Sequence, residues 1–245
     1  MHKPLKDFEV LSFDCYGTLI DWETGIWDAL QPLFMSNGGR GIERGLALSR
    51  FAEQESRIEQ AQPQRLYPDV LARVHAALAE QAGLRSSAAL DRDFGRSVAH
   101  WPAFPDTAEA LRFLKTRYRL VILSNIDRDS FAASNRKLGV AFDAVYTAED
   151  IGSYKPSPAN FRYLLRRLRD EFGVAPERIL HTAQSLYHDH APARACGLAS
   201  AWIDRQRLSQ GGSWGATTAL DEQPEVDYLF FSMAEMAAAV REEGG

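Results

Sequence analysis

A chain of 245 residues has room for one large domain, or for a core carrying a smaller insertion. With 45% hydrophobic and 25% charged residues its composition is that of an ordinary globular protein, and a net charge of -5 offers no basic footprint for nucleic acid. No apolar run nears the ~20 residues that span a bilayer and Met1 to Asp7 carry no apolar signal core, so a cytoplasmic protein without membrane or nucleic-acid partners is expected.

In chain order, Val10-Leu11-Ser12-Phe13 reads as a buried strand, which places Asp14 at a strand's carboxyl end, where open α/β sheets carry their chemistry. A carboxylate there is either a nucleophile or the cap of a turn that continues to Gly17. Cys15 and Cys196 have no paired spacing for zinc or a redox couple; reduced thiols are expected, with strand alternation turning Cys15 toward packing. Asp21 to about His100 reads as helical: Ile26, Leu30, Leu33 and Phe34 recur at helix spacing, as do Val70, Leu71, Val74, Ala77 and Leu78 after the break at Tyr67-Pro68. This stretch predicts a helical cap inserted between the first and second core strands. Its apolar helices point either to a homodimer or to burial against the core. In the re-entry segment from His100 to Asp106, Trp101 and Phe104 are expected as core anchors ahead of substrate contacts.

From Thr107 helix and strand alternate. The predicted helices are Ala108 to Tyr118, Phe131 to Leu138, Pro158 to Phe172, His190 to Cys196 and Met233 to Val240; the predicted strands are Leu120 to Leu123, Ala144 to Thr147, Ile179 to Thr182, Ser200 to Ile203 and, at an edge, Tyr228 to Phe231. Gln206 to Glu225, with Gly211, Gly212 and Gly215, is expected as a surface loop. The alternation predicts an α/β fold with a mostly parallel, doubly wound sheet and right-handed crossovers.

Four segments carry chemistry: Phe13-Asp14-Cys15-Tyr16-Gly17-Thr18-Leu19, then Leu123-Ser124-Asn125, then Gly152-Ser153-Tyr154-Lys155-Pro156, then Ile179 to Asp189. In order and spacing they resemble the motifs of the haloacid dehalogenase superfamily, over nearly the whole chain. The resemblance implies a Rossmann-like core in residues 1–20 and 101–245 and a helical cap in 21–100. It also implies that Asp14 and Thr18 hold the nucleophile motif, Ser124 the anion cradle, Lys155 the charge-balancing cation and Asp189 the terminal acid. His188-Asp189-His190 looks like a metal cluster only superficially, since adjacent residues seldom converge on one ion.

The superfamily's phosphatases carry a second Asp two positions after the nucleophile and a further acid that holds magnesium. Here Tyr16 and Gln184 stand at those places, and neither a phenol with pKa near ~10 nor a neutral amide replaces a carboxylate. Asp-x-Tyr-Gly-Thr instead resembles the dehalogenase branch, in which the Asp attacks C2 of a short carboxylic acid and water opens the resulting ester without metal or cofactor. By that resemblance Ser124 and the amides near Tyr16 and Gly17 hold the substrate carboxylate, Asn125 faces the leaving group, Lys155 keeps Asp14 ionised, and Asp189 activates water.

Three departures from the 2-haloacid dehalogenases stand out: Ala52 where they carry a halide-binding Arg, Phe161 for a Tyr, and Gln184 and Leu186 for a Ser and an Asn. Asp21 to Ile26, Ser124 to Arg128 and Ser185 to His190 are similar instead to L-azetidine-2-carboxylate hydrolases, whose protonated ring nitrogen suits an acidic, aromatic pocket. Tyr16, Trp22, Gln184, Ser185 and His188 are the further substrate-binding candidates; Trp22 reads equally as a hinge anchor, and His188 reads more readily as a helix-start or core histidine than as a catalytic one. The expectation is a metal-independent hydrolase acting at C2 of a small acid, azetidine opening ranked ahead of C–halogen cleavage. The alternatives are a magnesium phosphatase with degraded motifs and a non-catalytic binding protein.

Overall fold

The computed structural model describes residues 3–212 and 223–243. Strand β1 (Val10–Phe13) is buried along its whole length. It leads into four helices before the next strand: α1 (Trp22–Ser36), α2 (Arg44–Ala61), α3 (Tyr67–Gln81) and α4 (Ala88–Gly95). Each start has a local cause. Asp21 accepts from the Thr24 amide, Glu43 from those of Gly45 and Leu46, and Ser87 from that of Leu90, while Pro68 fills the first turn of α3.

The chain then runs through α5 (Thr107–Leu114), β2 (Arg119–Ser124), α6 (Arg128–Leu138), β3 (Ala144–Thr147), α7 (Ala148–Ile151), α8 (Pro158–Phe172), β4 (Ile179–Ala183), α9 (Ala191–Ala195), β5 (Ala199–Ile203), β6 (Tyr228–Phe230) and α10 (Met233–Glu243). The expected α/β alternation is realised. The six strands are all parallel in the order β3-β2-β1-β4-β5-β6, so β1 lies between β2 and β4, with Phe13 flanked by Ile122 and Thr182. Strand order reverses on either side of β1, and the loops leaving β1 and its neighbours diverge there to open a crevice at the carboxyl ends. Alternate residues supply opposite faces: Leu11, Phe13, Leu120 and Ile122 join one apolar cluster, Val10, Val121 and Leu123 the other.

Three details differ from the pattern read along the chain. The helix expected to reach Tyr118 stops at Leu114, because residues 115–118 turn to feed β2. The last motif does not pass straight into a helix at His190. A π-helical turn over Leu186–His190 comes first, with Ser185 accepting from the His188 amide, and α9 follows. Within the expected loop from Gln206, residues Leu208–Gln210 form a 3-10 turn held by the Asp204 carboxylate through the amides of Leu208 and Ser209, whereas Gly215 lies outside the described residues. Among the described residues no helix is long and apolar enough to cross a membrane.

Trp101 ties the re-entry segment to the first inserted helix. It is buried, its indole N–H donates to Ser97 Oγ at 3.1 Å, and its ring meets those of Tyr16 and Tyr67 edge-on. The face of α1 against it is Gly25, where a Cβ would stand 2.3 Å from the Trp101 ring. Alanine in a helix gains about 1 kcal/mol over glycine, but overpacking a fixed core costs about 1–3 kcal/mol. Gly25→Ala is therefore expected to lower the free energy of unfolding by about 1 kcal/mol in urea titrations. A neutral or stabilising change would show that Trp101 is not the fixed anchor of this junction.

Candidate active site

The turn after β1 builds the crevice floor. The amides of Leu19 and Ile20 both donate to the Cys15 carbonyl, and the chain reverses at Gly17, whose φ is +91°. This fold-back sets the Thr18 hydroxyl 2.8 Å from Asp14 Oδ2. Thr18 Oγ1 also accepts the Gln184 amide at 3.0 Å, which joins the turn to the end of β4. The Gly17 amide donates to the Ile20 carbonyl at 2.8 Å, so it is not available to a substrate carboxylate as expected. The positive φ is what calls for glycine, and space adds to it: a Cβ would lie 3.0 Å from Gln184 Oε1 and 3.2 Å from Trp22 Nε1.

Lys155 occupies the centre. Its ammonium donates to Asp14 Oδ1 at 2.9 Å, Asp189 Oδ1 at 2.6 Å and the Leu123 carbonyl at 3.0 Å, which satisfies all three donors. Asn125 fixes the lysine backbone from both sides, Oδ1 accepting the Lys155 amide at 2.6 Å and Nδ2 donating to its carbonyl at 3.0 Å. Asn125 was expected to face a leaving group; its remaining N–H is turned to Glu59 Oε2, 3.5 Å away. His181 completes the cluster, Nε2 donating to Asp189 Oδ1 and Nδ1 meeting Ser12 Oγ, both at 2.9 Å. An ionised carboxylate only accepts, which assigns the proton to Nε2.

Burial raises Asp14 above the usual carboxylate range; the Lys155 ammonium pulls against it, while the Asp189 charge adds to the rise. Lys155 therefore acts on Asp14 in the expected sense but does not outweigh desolvation. For Asp189, burial is overcome by Lys155 and by the His181 hydrogen bond, and the group is held well below the usual range. Such a carboxylate is a weak base. Its Oδ2, buried and without a partner among the described residues, is an acceptor that can position water.

The cavity is lined at its floor and sides by Asp14, Ser124, Asn125, Lys155, Gln184, Ser185, His188 and Asp189, with Tyr16 and Trp22 beside them. The space in which water-sized groups can be centred is about 80 Å³; one water needs about 10–15 Å³ on the same measure, so the site suits a molecule of a few heavy atoms. Ser124 Oγ is buried and has no partner among the described residues, which leaves it to meet a ligand. Tyr16 meets Ser134 Oγ at 2.8 Å, and burial pushes its phenol well above the ordinary value, so it is no acid. Trp22 both lines the cavity and packs 5.7 Å from Phe51 of α2. His188 caps against Ser185 and is pushed down to about 4 by burial, which leaves it neutral near pH 7. His190 turns away to the Ala183 carbonyl, so the His188-Asp189-His190 run does not converge.

The opposite wall escaped the reading along the chain, apart from Ala52. Ala52, Glu55, Ser56 and Glu59 of α2 line the cavity with Tyr67 of α3. Their spacing of i, i+3, i+4 and i+7 is one helix face, and that was the available signal.

The family profile described as haloacid dehalogenase-like hydrolase matches residues 8–196. The chain belongs to that family. This haloacid dehalogenase-like hydrolase is 26% identical over 211 residues to haloacetate dehalogenase H-2 of Moraxella sp. (strain B), covering 82% of the chain and 88% of that relative. It is 32% identical over 107 residues to (S)-2-haloacid dehalogenase 4A of Burkholderia cepacia, covering 42% of the chain and 44% of that protein. Its fold matches the L-2-haloacid dehalogenase of Xanthobacter autotrophicus with a TM-score of 0.76 at 19% identity, over 96% of this chain and 98% of that one.

The α2 wall of the hydrolase's cavity is acidic, with Glu55 and Glu59 both lining it. Burial raises Glu55 to about 7, opposed by the hydrogen bond it accepts from Tyr67 at 2.6 Å. Burial and then the Glu55 charge raise Glu59 well above the usual range, with Lys155 opposing. A carboxyl raised on folding binds protons that the unfolded chain releases above about pH 4.3. Its stabilising contribution is complete below that pH and is lost as pH climbs through about 7. The urea midpoint should therefore fall from about pH 5 to about pH 8, and Glu55→Gln should flatten the fall. An unchanged slope would remove this pair from the pH dependence.

Proposed function

We propose that this hydrolase displaces a substituent at C2 of a small carboxylic acid, without a metal, through an ester on Asp14. The observation that carries the reading is the setting of Asp14: a nearly buried carboxylate at a cavity wall, oriented by Thr18 and paired with the Lys155 ammonium. Such a group is a desolvated, oriented nucleophile. Phosphoryl transfer fits this donor set poorly. The side chain two positions on is the phenol of Tyr16, and both floor carboxylates are already bonded to one ammonium, leaving little for a resident dication.

In the first step Asp14 attacks C2 and the bond to the leaving group breaks, its electron pair departing with that group. Water then adds to the Asp14 carboxyl carbon, with Asp189 Oδ2 as an acceptor, and the hydroxy acid leaves with the oxygen that Asp14 had supplied. Ser124 offers a free hydroxyl for the substrate carboxylate.

For the leaving group, a strained cyclic amine such as L-azetidine-2-carboxylate fits better than a 2-haloacid. The wall carries Ala52 and two glutamates, and Lys155, the one Lys or Arg lining the cavity among the described residues, is fully engaged. A haloacid brings a negative charge and releases an anion into this acidic space, whereas the azetidine zwitterion brings a balancing cation. The two similar proteins, a haloacetate dehalogenase and an (S)-2-haloacid dehalogenase, support chemistry at C2 and keep the haloacid as the competitor.

The test incubates the enzyme in EDTA with L-azetidine-2-carboxylate and L-2-chloropropionate and follows both products by mass spectrometry. The expected product is the ring-opened hydroxy-amino acid, absent with a folded Asp14→Asn variant. Lactate alone would restore the haloacid reading; activity that requires added Mg²⁺, or that survives in Asp14→Asn, would overturn the mechanism.

A further inference from the structure

Glu55 and Glu59 lie one turn apart on α2, and both face the cavity that holds Asp14. Tyr67 donates to Glu55, whereas Glu59 is 5% exposed and its hydrogen bond among the described residues is the long one from Asn125. Two neighbouring carboxyl groups taken from water with so little compensation are costly unless they share a proton or meet a cation. Lys155 cannot serve, since its three donors are committed elsewhere. Independently, Ser124 Oγ and Asp189 Oδ2 are buried, unpartnered among the described residues and on the floor of the same cavity, so the space between floor and wall is built for a polar ligand. An acid bound by its carboxylate near Ser124 and attacked at C2 by Asp14 has its C2 substituent left to occupy the remaining wall, that of α2.

We propose that Glu59, backed by Glu55, receives a positively charged nitrogen at C2 of the substrate and sets the enzyme's preference for a cationic over an uncharged substituent there. The assignment rests on the Asp14 displacement reading and adds to it the residue that selects the leaving group. The step balances. The ring ammonium carries one positive charge in; when Asp14 bonds to C2, the C2–N pair stays on nitrogen and yields a neutral amine, which takes the proton held by the glutamate pair. Hydrolysis of the ester releases one proton, and this returns to the pair. The burial-driven rise of both glutamates is in keeping with such a held proton.

The test is a binding measurement, so it does not depend on turnover. In Asp14→Asn, calorimetry gives the dissociation constants of L-azetidine-2-carboxylate and of cyclobutanecarboxylate, which has the same ring without the charged nitrogen. The expected result is a preference for the azetidine that Glu59→Gln reduces by roughly tenfold to a hundredfold, the range of a charge-assisted hydrogen bond, with cyclobutanecarboxylate affected less than twofold. Glu55→Gln, measured in the same way, is expected to reduce the preference in the same direction and decides the matter if Glu59→Gln does not fold. An absent preference in Asp14→Asn, or one unchanged by these replacements, overturns the assignment. Absence of ring opening by the unmodified enzyme, with the preference intact, would instead count against the Asp14 displacement reading alone.

Discussion

One buried ammonium holds this crevice together. Lys155 reaches it from the loop after α7 and bonds to Asp14 beyond β1, to Asp189 in the turn after β4, and to the Leu123 carbonyl of β2. The three central strands are thereby joined through one charge at the point where strand order reverses. Removing one partner from a buried ion pair leaves an uncompensated charge, at about 3–5 kcal/mol; here the loss of Lys155 would strand two carboxylates. Asn125 clamps the lysine backbone on both sides, and the hydrogen bond of Thr18 to Gln184 locks the adjacent turn.

The same cation separates the two carboxylates it bridges. Asp14 is raised by burial and by the charge of Asp189, while Asp189, also bonded to His181, is held low. Environments that push paired groups apart assign their roles. Asp14, the more basic of the two and 6% exposed, is suited to attack carbon; Asp189, 1% exposed and fixed by two donors, is suited to remain an anion throughout. Tyr16 and His188 do not compete as acid or base, since burial raises the phenol further above the neutral range and lowers the imidazole below it.

The floor of the site was legible in the sequence because each of its residues follows an apolar run that can only be a buried strand, or sits in a short polar loop beside one. Parallel pairing then brings such strand ends together, whatever lies between them. The α2 wall was not legible in the same way. Glu55 and Glu59 sit in a helix whose charged positions read as a solvated face, and only the closing of the inserted helices over the sheet buries them. His181 was hidden for the opposite reason: within a strand it reads as one more inward residue, and its contact with Asp189 depends on the π-helical turn that follows. The Gly17 amide was assigned to a substrate because the motif places it beside the nucleophile. Its capture by Ile20 depends on a fold-back that spacing does not encode.

The proposed mechanism requires the Asp14 carboxylate to form an ester with substrate carbon. A single turnover in H₂¹⁸O, with enzyme in excess over L-azetidine-2-carboxylate, tests it most directly when both the product and the peptide containing Asp14 are weighed by mass spectrometry. With an Asp14 ester, the new hydroxyl carries ordinary oxygen from the protein, while one ¹⁸O appears in Asp14. A product labelled in its first turnover, with Asp14 unlabelled, would mean that water attacks the substrate directly and would contradict it.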